Sequence, residues 1–115
     1  MWIDSHCHLN HSRFEGQDPL EIANEAIGQG VDHIVTINCR IRDELPQILE
    51  IARVHKQISC TIGTHPHNAG KEEEQAVTLE ELIDLANSDP NIIGIGESGL
   101  DYYYDYAPRD AQEKS

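Results

Sequence analysis

Four short apolar segments, each separated from the next by enough chain for a helix, limit what this sequence can fold into more than any other feature. They lie at about residues 1–5, 31–37, 58–62 and 92–96 and are rich in isoleucine and valine. Short, β-branched runs without strict alternation are expected of parallel strands covered on both faces. The intervening chain has helical spacing and helix punctuation. Asp18-Pro19-Leu20-Glu21 supplies a cap, a proline at the first helical position and a glutamate three residues after the cap. Leu20, Ala23 and Ile27 then keep one face until Gly28 and Gly30 end it. A second helix is predicted over about 43–55, with Leu45, Ile48, Leu49 and Ala52 on one face and Pro46 in its first turn. Thr78-Leu79-Glu80-Glu81 opens a third with another capping box, and a fourth begins near Pro108. Glu72, Glu73 and Glu74, in the 70–75 loop, read as a solvated tip.

Strand alternating with helix means a parallel sheet with right-handed crossovers. Two architectures satisfy that pattern: a small doubly wound sheet, or the first half of an eight-stranded β/α barrel. Both place their chemistry at the carboxyl ends of the strands, and polar residues collect there in this sequence.

At 115 residues the chain is of single-domain length. Its formal charge of -13, from 8 basic and 21 acidic residues, argues against a basic nucleic-acid-binding module. Nucleic acid remains open as a substrate, because bound divalent ions reverse the local sign. Cys7, Cys39 and Cys60 form an odd set without paired spacing, which suits free thiols in a reducing compartment. With no basic leader and no run of membrane-spanning length, a cytoplasmic soluble protein with no membrane partner is the expectation.

Asp4-Ser5-His6-Cys7-His8 ends the first strand. A period of two sends Asp4, His6 and His8 to one face and Cys7, a small wall residue, to the other. A carboxylate and two imidazoles so placed point to a cation. After the third strand, Gly63-Thr64-His65-Pro66-His67 repeats the histidine pair, with His65 nearer the strand. After the fourth, Glu97 is a carboxylate that is costly to bury unpaired. Asp101 is a second site carboxylate or a loop cap. His11, His33 and His55 lack such company and read as structural or exposed. Tyr102, Tyr103, Tyr104 and Tyr106 either offer a stacking surface to a base or pack a loop over the barrel rim.

Taken in order, Asp4-Ser-His-Cys-His-Leu9, Gly63-Thr-His-Pro-His67 and Gly96-Glu-Ser-Gly-Leu-Asp-Tyr102 resemble three signatures of the TatD family of metal-dependent hydrolases. Ser98 departs from that pattern, where the family more often has an apolar residue. The resemblance implies a TIM-type (β/α)8 barrel of the metal-dependent hydrolase superfamily, of which residues 1–115 form the first half, about four βα units. It implies a deoxyribonuclease cleaving phosphodiester bonds in DNA or a similar substrate. His6 and His8 would be ligands of one divalent ion (Mg, Mn or Zn), and Glu97 a catalytic carboxylate shared with a second ion. His65 and Asp101 would be substrate-binding. Two ions about 3.5–4 Å apart acidify a bridging water and clamp the attacking and leaving oxygens.

The family draws further ligands from the second half of a barrel of about 250 residues. The 115 residues alone are therefore expected to be inactive or nearly so, with open strand edges that invite aggregation or a homodimer. Two alternatives share the scaffold: an amidohydrolase or lactonase, and a non-catalytic metal-binding or assembly fragment.

Overall fold

The computed structural model describes residues 1–115. Its sheet is built from β1 (Trp2–Cys7), β2 (Val31–Thr36), β3 (Ile58–Ile62) and β4 (Ile92–Ile95). The helices are α1 (Pro19–Gly28), α2 (Ile41–Val54), the one-turn α3 (Glu72–Gln75), α4 (Leu79–Ala86) and α5 (Arg109–Lys114). All neighbouring strands are parallel and the order is β1-β2-β3-β4. A doubly wound sheet reverses its order partway and carries helices on both faces. Here the order never reverses, and α1 and α2 bury Ala23, Ile48, Ile51 and Ala52 together with Ile34, Ile58 and Cys60 of the sheet. A second cluster, Ile41, Leu45 and Ile62, receives Leu82 and Leu85 of α4 on the same side. One-sided helices over a sequentially ordered parallel sheet make this part of a β/α barrel.

Helices on one side correct the expectation that the strands are covered on both faces. Ile58, Cys60 and Ile62 point to the helices, whereas Ser59 points the other way and meets the imidazole of His33 at 2.9 Å. On β4, Ile92 packs into the core while Ile93 and Ile95 are exposed, as are Trp2 and Ile3 on β1. Isoleucine-rich composition marks a strand that will be buried; it does not say which layer does the burying.

One helix start and one loop differ from expectation for one reason. α2 starts at Ile41, two residues early, so Pro46 lies inside the helix and not in its first turn. Arg40, at the cap position, makes no side-chain cap bond. The carboxylate of Glu74 does that work from a distance, accepting from the backbone N–H groups of Ile41 and Arg42, each at 3.0 Å. It also accepts from the Thr64 hydroxyl at 2.6 Å. Glu74 is only 5% exposed, so the acidic tip is a short helix that buries its third glutamate. The caps of α1 and α4 are local, as read: Asp18 accepts from Leu20 N–H and Thr78 from Glu81 N–H.

Candidate functional site

β1 runs to Cys7, placing His6 within the strand and His8 just beyond it. The pairing with β2 slips between Asp4 and Cys7, which interrupts the strict alternation. Asp4 therefore stands apart from the imidazoles it was expected to join: its carboxylate accepts from the His6 N–H at 3.1 Å. Cys7 keeps to the helix side, with its thiol 3.7 Å from the Val35 carbonyl.

The Nε2 atoms of His6 and His8 lie 3.3 and 3.7 Å from Glu97 Oε2. The ligand atoms of these three residues all fall within 4.8 Å of one another. Donors bound to one tetrahedral ion at about 2.0–2.1 Å are about 3.3–3.4 Å apart. Two imidazoles and a carboxylate at these separations fit a divalent ion such as zinc or manganese. His8 Nδ1 lies 3.6 Å from the thiol of Cys39, whose pKa burial pushes up to about 12. A protonated thiol is a weak acceptor for the second ring N–H, the kind of outer contact that fixes which nitrogen of a ligating histidine faces the metal.

His65 joins the cluster from β3. Its Nδ1 accepts the His67 N–H at 3.1 Å, so in the neutral ring the proton sits on Nε2, 3.3 Å from Glu97 Oε1. Desolvation, the largest influence, lowers the His65 pKa, and the charge of Glu97 only partly offsets it. His65 is thus held as a neutral donor aimed at the space beside Glu97.

His67 and Asp101 form a neighbouring pair, Nε2 to Oδ2. That contact, with the loop N–H groups of Tyr104 and Tyr103, keeps the Asp101 carboxyl below the usual aspartate range. Asp101 does not touch Glu97; it caps its own loop while anchoring His67.

The end of β2 carries a residue that sequence reasoning passed over. Asn38, fully buried, accepts the Gly63 N–H on its side-chain oxygen at 3.1 Å and donates to the Arg40 carbonyl. Its backbone carbonyl receives the Glu97 N–H at 2.9 Å. Next to it, the Cys39 carbonyl receives the His65 N–H at 3.0 Å. The signal was positional: Asn38 follows β2 as His8, Thr64 and Glu97 follow the other strands. Gly63 is a glycine because a Cβ there would sit 2.7 Å from the Glu97 carbonyl oxygen.

Comparison with known proteins adds the following. Residues 3–115 match the profile of the family described as TatD related DNase. The chain is 30% identical to the uncharacterized metal-dependent hydrolase YabD of Bacillus subtilis, across 99% of this chain and 43% of that protein. It is 31% identical to the 3'-5' ssDNA/RNA exonuclease TatD of Escherichia fergusonii, across 98% of this chain and 42% of that one. The crystal structure of YjjV, a TatD homologue from Escherichia coli K12, superposes with a TM-score of 0.74 at 27% identity, covering 97% of this chain and 42% of that one. The chain thus spans less than half the length of these relatives. None of its helices is long and apolar enough to cross a membrane.

Proposed function

The chain belongs to the TatD-related DNase family of metal-dependent hydrolases, and we propose that it supplies the first-ion half of a centre that cleaves phosphodiester bonds in nucleic acid. The observation that carries this reading is the convergence of His6, His8 and Glu97 at the carboxyl edge of the sheet, with His65 alongside. A divalent ion held there supplies a Lewis acid for a phosphoryl oxygen and lowers the pKa of bound water. The protein's own contribution is placement. His6 and His8 present Nε2 from the carboxyl end of β1, and Glu97 presents one oxygen to them and the other to His65. A phosphate oxygen entering beside Glu97 takes over the Nε2–H of neutral His65 that otherwise faces Glu97 Oε1. Asp101 supports the substrate side through His67.

The relative named as an ssDNA/RNA exonuclease supports nucleic acid as the substrate class, with DNA the form named by the family. Three donors fall short of the two-ion set the family resemblance implies. Hydrolysis by residues 1–115 alone is therefore expected near background, as one portion of a single barrel domain. The unpaired edges of β1 and β4, with Trp2, Ile3, Ile93 and Ile95 exposed, support homodimer formation through the half-barrel. Three free cysteines support a cytoplasmic setting.

The test is a calorimetric titration with zinc, manganese and magnesium. Stoichiometric binding is expected, and it should disappear in His6→Ala/His8→Ala; binding unchanged in that variant sinks the site assignment. The reaction class is tested in a complete barrel domain that begins with these residues, where metal-dependent cleavage of single-stranded DNA should be lost in Glu97→Gln. Strong cleavage by the 115 residues alone would overturn the near-background expectation only.

A further inference from the structure

The loop between β4 and α5 exposes aromatic faces beside the metal cluster. Tyr103, Tyr104 and Tyr106 are 88%, 57% and 68% exposed. Tyr104 and Tyr106 stack on one another, with ring centroids 5.5 Å apart and planes 20° from parallel. Both meet the edge of the His67 ring, at 5.7 and 4.8 Å. His67 in turn meets His65 at 4.4 Å, and His65 reaches Glu97. An unbroken run of rings therefore connects the carboxylate of the site to the tyrosine pair. Tyr102 is different: Arg109 covers its ring at 4.5 Å and its hydroxyl donates to Glu113.

These rings stand on a fixed backbone. The side chain of Gln112 accepts from Asp101 N–H at 2.7 Å and donates to the carbonyls of Asp101 and Ala107. Asp101 accepts from the N–H groups of Tyr103 and Tyr104. A loop tied at both ends offers its side chains in place before any ligand arrives.

Charge narrows the choice of ligand. The chain has only 8 basic residues, and Arg40, Arg42, Arg53 and Arg109 are each paired with a carboxylate. Grip on a polyanion through its phosphates is correspondingly poor. Stacking on the π-face of a base needs no cation and works with any base. In a duplex both faces of an internal base are already covered, so an open ring platform selects unpaired bases.

We propose that Tyr104 and Tyr106 form a stacking platform for one nucleobase of a single-stranded nucleic acid, next to the phosphodiester that reaches His65 and Glu97. The proposal rests on the phosphodiester reading of the cluster and deepens it by naming what holds the substrate beside the reacting bond. His67, held by Asp101, joins the two parts.

The experiment compares two fluorescein-labelled single-stranded oligomers of equal length, oligothymidine and its abasic counterpart, by anisotropy with calcium as the divalent ion. The wild-type chain is expected to bind the base-bearing oligomer about five- to 150-fold more tightly, which is about 1–3 kcal/mol at 1.4 kcal/mol per tenfold. Tyr104→Ala/Tyr106→Ala should remove that preference and leave abasic binding unchanged, while Tyr104→Phe/Tyr106→Phe should keep it. Equal binding of the two oligomers by wild type, or a preference that survives the alanine pair, overturns the platform and leaves the phosphodiester reading standing. Calcium-dependent binding of neither oligomer overturns that reading, and the platform with it.

Discussion

The backbone N–H of Glu97 donates to the carbonyl of Asn38 at 2.9 Å, across the intervening strand β3. The same residue's side chain holds Gly63, so one buried asparagine sets the relative height of the ends of β3 and β4. Asn38→Ala should cost on the order of 1–3 kcal/mol by leaving Gly63 N–H unpaired in a buried place; the Arg40 carbonyl keeps the Glu44 N–H. Metal affinity should fall as well, although Asn38 supplies no ligand. Paired urea denaturation and metal titration of the variant measure both effects; full metal affinity in a destabilised protein would show that Asn38 only holds the fold.

A methyl group at residue 63 makes the complementary test. Gly63→Ala puts a Cβ against the Gly96–Glu97 backbone at 2.7 Å, so the strand ends must part. Overpacking of this kind costs about 1–3 kcal/mol. The expected result is weaker metal binding than in a variant of equal stability loss made in α1, such as Ala23→Gly.

Glu74 ties α2 to the loop that carries His65. Glu74→Gln keeps one carbonyl oxygen and loses the other acceptor, so either Arg42 N–H, or Ile41 N–H together with the Thr64 hydroxyl, goes without its partner. A loss of about 1–2 kcal/mol is expected. Imidazole resonances of His65 should shift in proton–nitrogen spectra. Unchanged spectra with unchanged stability would remove Glu74 from any role in placing that loop.

Acid stability has an identifiable contributor at Asp89, the carboxylate that accepts from Asn91 N–H and from Arg53. The Asn91 backbone bond, then Arg53, lowers its pKa in the folded chain. A carboxyl depressed in this way stabilises the fold above its unfolded pKa of about 3.9, and that contribution is lost as pH falls through the lower folded value. Asp89→Asn should therefore flatten the fall in stability below about pH 4. A denaturation series from pH 6 to 2 reads the slope; identical slopes in the two proteins would discard the assignment.

Local signals made most of the architecture legible. Asp18 and Thr78 cap helices within their own turn, so both helices could be placed from neighbouring residues. The β-branched residues of β2 and β3 located the sheet. What escaped was non-local. The cap of α2 comes from Glu74, thirty-three residues from Ile41 in sequence, and three consecutive glutamates look solvated until one is seen to be buried. At the site, His6, His8, His65 and Glu97 stood out because titratable residues directly after apolar strands are conspicuous. Asn38 did not, since its role depends on hydrogen bonds to two other strands. The slip in β1 separated Asp4 from the histidines, and a register shift leaves no mark in residue spacing.

The three bonds made by Gln112 have a practical result for anyone trimming this protein. One amide near the end of α5 latches both ends of the tyrosine loop, so a version cut back to residue 111 keeps every strand and loses the latch. Such a version should show new protease cleavage within residues 101–107 while the sheet stays resistant. The last helix is thus a clasp more than a wall, and its removal would report on loop order separately from fold.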